Sequence, residues 1–269
     1  MMNTFLQVPL VSHTKITQLT PHLETRGPQM AQSNISSNQD DVWQIFLEPF
    51  QVYTNNLINS LPQQKDEIAI AIAVESLLAQ INTDHNRLIF VIDTIQVRVK
   101  RDVAWVDFAI SIYDGIALFI DLTFSGPGLP AEKRGSWVVQ HYLLQSIQDD
   151  FNREMTMLLW NVGLIHFIGR LGASRNSIGA LTSPVIFHVL GRMMLSEELF
   201  NGENLGLCLD YIVHVGPFMD SEAAGAKDEF TGMLMQLRER VKSGGTVTNM
   251  AMRWVLKLRE DGWRAQQVE

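Results

Sequence analysis

The chain has 269 residues, 46% of them hydrophobic and 19% charged, with a formal net charge of −8. That length allows one large domain or two small ones with a substantial core, and the acidic balance argues against a duplex nucleic acid as the main partner, since a compact duplex-binding domain is normally basic. A single cysteine, Cys208, excludes an internal disulfide and a zinc ribbon and fits a reducing compartment.

Residues 1–40 are rich in Thr, Gln, Asn and Ser, and large apolar side chains are sparse after Leu10. This composition predicts a flexible tail. The stretch from Met1 to Thr14 lacks a basic start and a cleavage site, so no signal peptide is expected. Asn34-Ile35-Ser36 matches a glycosylation acceptor, which has no meaning without secretion. No apolar run reaches the ~20 residues that a membrane span needs. The expectation is a cytoplasmic or nuclear protein with no membrane partner.

The pattern changes near residue 41. Asp40 and Asp41 suit the cap of a helix starting near Val42, whose face carries Phe50, Tyr53, Leu57 and Ile58. Pro62 ends it. Asp66 and Glu67 suit the start of a second helix, lined by Ile70, Val74, Leu77, Leu78 and Ile81. Residues 87–124 conflict with this reading. Ile95, Val97 and Val99 alternate with Gln96, Arg98 and Lys100, and 117–124 looks extended, so local propensity suggests two or three strands. Ser125 to Pro130 reads as a loop.

Beyond that loop the signal is helical. One run takes Trp137 to Phe151, and Met155, Leu158, Leu159 and Val162 extend it. The next carries Ile165, Phe167, Ile168 and Leu171, with Gly172 as its stop. Ser183 and Pro184 form an N-cap and first-turn pair. A further helix spans about Glu203 to Val215 and closes at Gly216-Pro217. Ser221 with Glu222 opens another, which ends before Gly244-Gly245, and Thr246 or Thr248 starts the last. Helices of this length with short connections pack as antiparallel pairs, and stacked pairs of ~40 residues make a solenoid.

Three segments of the second half resemble the middle domain of eukaryotic translation initiation factor 4G. Val162 to Leu171 is similar to that family's Gly-x-x-x-Phe-Ile-Gly-x-Leu helix. Leu207 to Pro217 is similar to its Leu-x-x-Leu-x-x-x-x-x-Val-Gly helix end. Leu258-Arg259-Glu260-Asp261-Gly262-Trp263 is similar to its closing Leu-Arg-x-x-x-Trp. The match covers about 140–264 and fades over 45–124, where only Phe108-Ala109 echoes the family's Tyr-Ala-x-Leu-Cys helix. The resemblance implies an all-α fold, an α-α superhelix of HEAT type with about five antiparallel helix pairs. It therefore favours helices over strands for 87–124. The domain is expected over 41–264, with a short tail at 265–269.

The resemblance also implies a function. Members of that family are non-catalytic scaffolds that bind DEAD-box RNA helicases of the initiation factor 4A type, and many bind RNA, in mRNA translation or processing. Thr248 and Asn249 stand where the family is basic, which weakens the RNA expectation. The alternative is a helical-repeat adaptor that binds another protein without helicase or RNA. The candidate partner-binding residues are Arg170, Arg253, Lys257, Arg259 and Trp263, since Arg and Trp lead interface hot spots. Each has a plainer reading. Arg170 can be a solvated surface residue, Trp263 can close the open end of the core, and the three cations of the last helix can complement its C-terminal dipole.

Catalytic motifs find no match. The sequence holds no Gly-x-Ser-x-Gly elbow and no Gly-x-x-x-x-Gly-Lys phosphate loop. The seven histidines, among them His166, His188 and His214, show no ligand pair on one helix. Asp149 and Asp150 are adjacent, so on a helix they point to different faces. No enzyme activity and no cofactor is expected.

Overall fold

A computed structural model describes residues 38–63, 66–173, 182–221, 225–242 and 245–264, with side chains from residue 49 onward. The tail expected over 1–40 lies outside these residues except for 38–40, as do Asn34-Ile35-Ser36, Glu222, Gly244 and 265–269. The chain divides into Met1–Trp43 and Gln44–Glu269. Of the first unit, only the opening residues of one helix are described.

Among the described residues ten α-helices follow one another, and none of these residues lies in a strand. They are α1 (Asn38–Ser60), α2 (Glu67–Ile81), α3 (His85–Arg101), α4 (Val106–Phe119), α5 (Ser136–Glu154), α6 (Val162–Ala173), α7 (Ser183–Leu195), α8 (Asn204–Met219), α9 (Lys227–Val241) and α10 (Thr246–Glu260). The fold is an α-α superhelix, and its packing follows a solenoid rule. Even-numbered helices stack in sequence, α2 on α4, α4 on α6, α6 on α8 and α8 on α10. Among the odd-numbered helices α3 packs on α5, and α7 on α9. The core runs between the two layers, where Trp105, Phe108, Tyr113, Phe167, Tyr211 and Phe230 are fully buried. No described helix is long and apolar enough to cross a membrane.

The strand-like stretch is helical as far as Phe119, in α3 and α4 joined by a short 3-10 turn at Val103–Trp105, but 120–124 is neither helix nor strand and opens the loop that follows. The alternation misleads because only two of its three members share a face. Ile95 and Val99 stand four apart and are fully buried, whereas Val97 is turned outward. Packing of that face overrides the β-branched propensity. Asp84 caps α3 by accepting from the Asn86 amide at 2.8 Å, and Asp66 caps α2 by accepting from Ile68 and Ala69 at 2.9 and 3.3 Å. Arg98, in the last turn of α3, donates to the carbonyls of Ile58 and Leu61 while its guanidinium stacks on Trp105 at 4.1 Å. One cation thus satisfies the end of α1, where carbonyls have no helical partner.

Several boundaries depart from the sequence reading. The first helix starts at Asn38, not near Val42, and passes through Pro49. The helix read through Met155 to Val162 is broken: 155–161 is irregular, and Leu158 and Leu159 are exposed. Asn204 holds this loop, its amide donating to the Leu158 and Glu198 carbonyls and its oxygen accepting from the Trp160 amide at 2.9 Å. Asn161 then caps α6 by accepting from the Leu164 amide at 2.9 Å. As described, α6 runs one residue past Gly172, to Ala173, and Gly172 is buried. Thr182, not Ser183, occupies the N-cap position of α7. Gly216-Pro217 does not stop α8, which runs on to Met219. The opening of α9 is at Lys227 rather than at Ser221.

Candidate interaction surfaces

Among the described helices α6 packs most extensively on α8, and glycine allows it. A Cβ at Gly169 would sit 3.3 Å from His214 and Tyr211, so the backbones approach across a bare position. At the start of the same helix Gly163 lies against the Val99 carbonyl of α3, leaving no room for a side chain. This approach brings His166 of α6 and His214 of α8 edge to face, with ring centroids 5.4 Å apart. His166 Nε2 lies 3.8 Å from Asp210 Oδ2. Arg170, one turn along, donates to Asp107 of α4 at 3.1 Å. Three helices thus contribute two imidazoles, two carboxylates and one guanidinium to one patch.

The patch has a defined charge. Burial, then Arg170 and His166, push His214 down to about 4, against a smaller pull from Asp107. His214 is therefore neutral at pH 7. Burial raises the Asp210 carboxyl, and His166 opposes this. No group of three or more metal-ligating side chains is arranged to hold an ion among the described residues.

The C-terminal end holds the other candidates. Asp220 accepts from Arg259 Nε at 2.8 Å, from Arg259 Nη2 at 2.6 Å and from Trp263 Nε1 at 2.8 Å. Arg259 Nη2 also donates to Thr231 of α9 at 2.6 Å. The Trp263 ring lies flat against Gly216 of α8 and 6.3 Å from Phe230. Its backbone adopts φ +64°, an uncommon value for a bulky residue, held here by the Asp220 bond and by its amide donating to the Leu258 carbonyl at 2.7 Å. Burial by itself would raise Asp220. The bonds from Arg259 and Trp263 and the charges of Arg259 and Lys227 outweigh it and hold the carboxyl below its ordinary range. Arg259 and Trp263 therefore tie α8, α9 and α10 together from within.

Arg253 and Lys257 are different. Both are exposed on the outer face of α10, together with Val247, Met250 and Trp254. The inner face carries Met252, Val255 and Leu258 in the core. Of the five residues singled out in the sequence, two stand on an open face, two are clasped inside, and Arg170 is half-exposed in an ion pair.

Two further surfaces were not legible in the sequence. A polar groove of about 390 Å³ between α3 and α5 contains the Lys100–Asp150 pair at 2.6 Å and Ser146 donating to Asp93 at 2.7 Å. Asp150 thus serves an ion pair, and its neighbour Asp149, more exposed, lines the same groove. The larger groove, about 600 Å³, lies between α2 and α4. Ile70, Val74, Leu78 and Phe119 line it, with Glu67 and Glu75 on its rim. Gly115 forms part of its floor, 2.5 Å from Val74 as measured to an added Cβ. The signal was present in α2, which is apolar nearly all round: Ala73, Val74, Leu77 and Ile81 are buried, yet Ile68 and Ile72 are 72% and 57% exposed. Periodicity finds one stripe in such a helix and says nothing of the second. A comparison with protein-family models finds no match for this chain, and none of the curated proteins matches it either.

Proposed function

We propose that the chain is a non-catalytic helical scaffold that holds a partner protein, with a DEAD-box RNA helicase of the initiation factor 4A type as the partner class, in mRNA translation or processing in the cytoplasm. The observation that carries this reading is the joint packing of the three segments that resemble the initiation factor 4G middle domain. Val162–Leu171 lies in α6, Leu207–Pro217 in α8, and Leu258–Trp263 closes α10. Gly169 seats α8, Gly216 seats Trp263, and Asp220 joins the third segment to the second. The motif residues thus build a rigid scaffold and leave Arg253 and Lys257 free of the core to meet an acidic partner surface.

A clamp favours one arrangement of a two-lobed partner only as far as it binds that arrangement better. The test is therefore functional as well as physical. Purified initiation factor 4A-type helicase should bind the chain in calorimetry, and its ATPase rate should change on binding. Arg253→Glu/Lys257→Glu should weaken binding at least tenfold with unchanged thermal stability. Absence of binding, or binding indifferent to this pair, sinks the assignment of that face. A gel shift with single-stranded RNA across a salt series tests the nucleic-acid part, because phosphate contacts give a steep salt slope.

A second reading, a protein adaptor that engages neither helicase nor RNA, is favoured by the α2–α4 groove. An apolar channel rimmed by carboxylates repels phosphate and suits a protein segment.

A further inference from the structure

We infer that the α2–α4 groove is the seat for an amphipathic helix of a partner protein, one that presents large apolar side chains on one face and Lys or Arg beside them. The inference deepens the scaffold reading and rests on it.

Shape argues for a helix. The groove runs between two helices whose backbones are internally bonded, so it offers no strand edge for an extended peptide to pair with. Helix-in-groove docking is the recognition mode left to such a surface, read as anchors at i, i+3 or i+4, and i+7. The lining residues of α2 extend from Glu67 to Leu78. At 1.5 Å per residue that stretch is roughly 16 Å long, enough for three turns of a docked helix. At its floor the two helices approach closely, because the Val74 side chain packs against the bare backbone of Gly115. Phe119, at the end of α4, lines the groove and stands 68% exposed, next in sequence to Leu118 at 68%. Adjacent apolar side chains this exposed beside an apolar channel mark an interaction site.

Charge selects the occupant. Among the described residues, the ionisable ones lining the groove are Glu67, Glu75 and Asp114. The whole chain carries −8. A helix flanked by carboxylates would meet like charge along both rims. One flanked by Lys or Arg is steered in and held, with the salt dependence of a rim contact.

The experiment uses two fluorescein-labelled helical peptides of 18 residues. Both carry Leu at i, i+3, i+4 and i+7, and their remaining positions are Lys-rich in one and Glu-rich in the other. Anisotropy with the full chain should show the Lys-rich peptide binding at least tenfold more tightly. Phe119→Ala and, separately, Glu67→Lys/Glu75→Lys should each weaken it at least fivefold. Glu132→Lys/Asp149→Lys, the same charge change away from the groove, should weaken it less than twofold. All of these positions are exposed, so the variants should keep the thermal midpoint of the parent. Equal binding of both peptides overturns the inference. So does weakening by the distant pair as large as that by the rim pair. A concentration-dependent dimer that Phe119→Ala dissolves also overturns it, because the occupant would then be a second copy. Helicase binding together with equal binding of the two peptides removes the groove as the seat and leaves the scaffold reading intact. Peptide binding without any helicase binding does the reverse.

Discussion

Replacing Asp220 with alanine tests how the C-terminal end is held. The substitution strands the Arg259 guanidinium and frees the Trp263 indole N–H. Breaking one member of a buried ion pair costs about 3–5 kcal/mol, mostly because the surviving charge is left without compensation. The two side chains retain 14% and 16% of their exposure, so some solvent reaches them and the lower end applies, about 3 kcal/mol. In a domain of this size each kcal/mol moves the melting midpoint by about 2–4 °C, which predicts a fall of roughly 6–12 °C. Circular dichroism at 222 nm through a thermal ramp at pH 7 measures it. A cycle with Arg259→Ala isolates the pair. The double variant should lose less than the two single variants summed, by about 1.5 kcal/mol or more. A midpoint shift under 2 °C, or strictly additive losses, would refute the clasp. The same reasoning shows why Arg259→Ala or Trp263→Ala is a poor probe of partner binding: either variant loosens three helices, so lost binding would report on folding. The exposed Arg253 and Lys257 give the cleaner test.

The remaining predictions use other parts of the molecule. Gly163→Ala should cost about 2–3 kcal/mol by equilibrium denaturation, since the new methyl meets the Val99 backbone. Gly206→Ala should be neutral or stabilising by up to about 1 kcal/mol, because its Cβ would meet open space. His214 titrates near 4 when folded, below the ordinary imidazole value. Protons therefore bind the unfolded chain first, and stability present above about pH 6.5 should decline as pH falls toward 4. His214→Gln should flatten the midpoint-versus-pH curve across that window, and an unchanged slope would contradict it. Asp220 is depressed as well, so its share persists through that window and is lost only below the ordinary carboxylate value of about 3.9. Cys208 is fully buried and its thiol is pushed up to about 12, so a thiol reagent at pH 8 should label it only after denaturant is added.

Local pattern was a good guide to where helices lie. Asp66 with Glu67 marked the start of α2, Thr246 or Thr248 that of α10, which begins at Thr246, and the stripe of Phe167, Ile168 and Leu171 marked the core face of α6. These features are carried by residues within a turn or two of each other, the range over which caps and periodicity act. Other features depended on chain segments far apart. Gly216-Pro217 reads as a stop, but α8 runs on to Met219, and the bare backbone of Gly216 receives the Trp263 ring from far along the chain, beyond the reach of any local pattern. His166 and His214 showed no spacing because they meet across two helices. Arg253 and Arg259 look alike on paper. One faces water and the other is clasped by Asp220, 39 residues away in sequence. In α2 and α10 apolar residues occupy more than one face, so the period of the helix was readable but not the face its neighbours would cover. Periodicity is a property of one segment, whereas burial is decided by whatever packs against it.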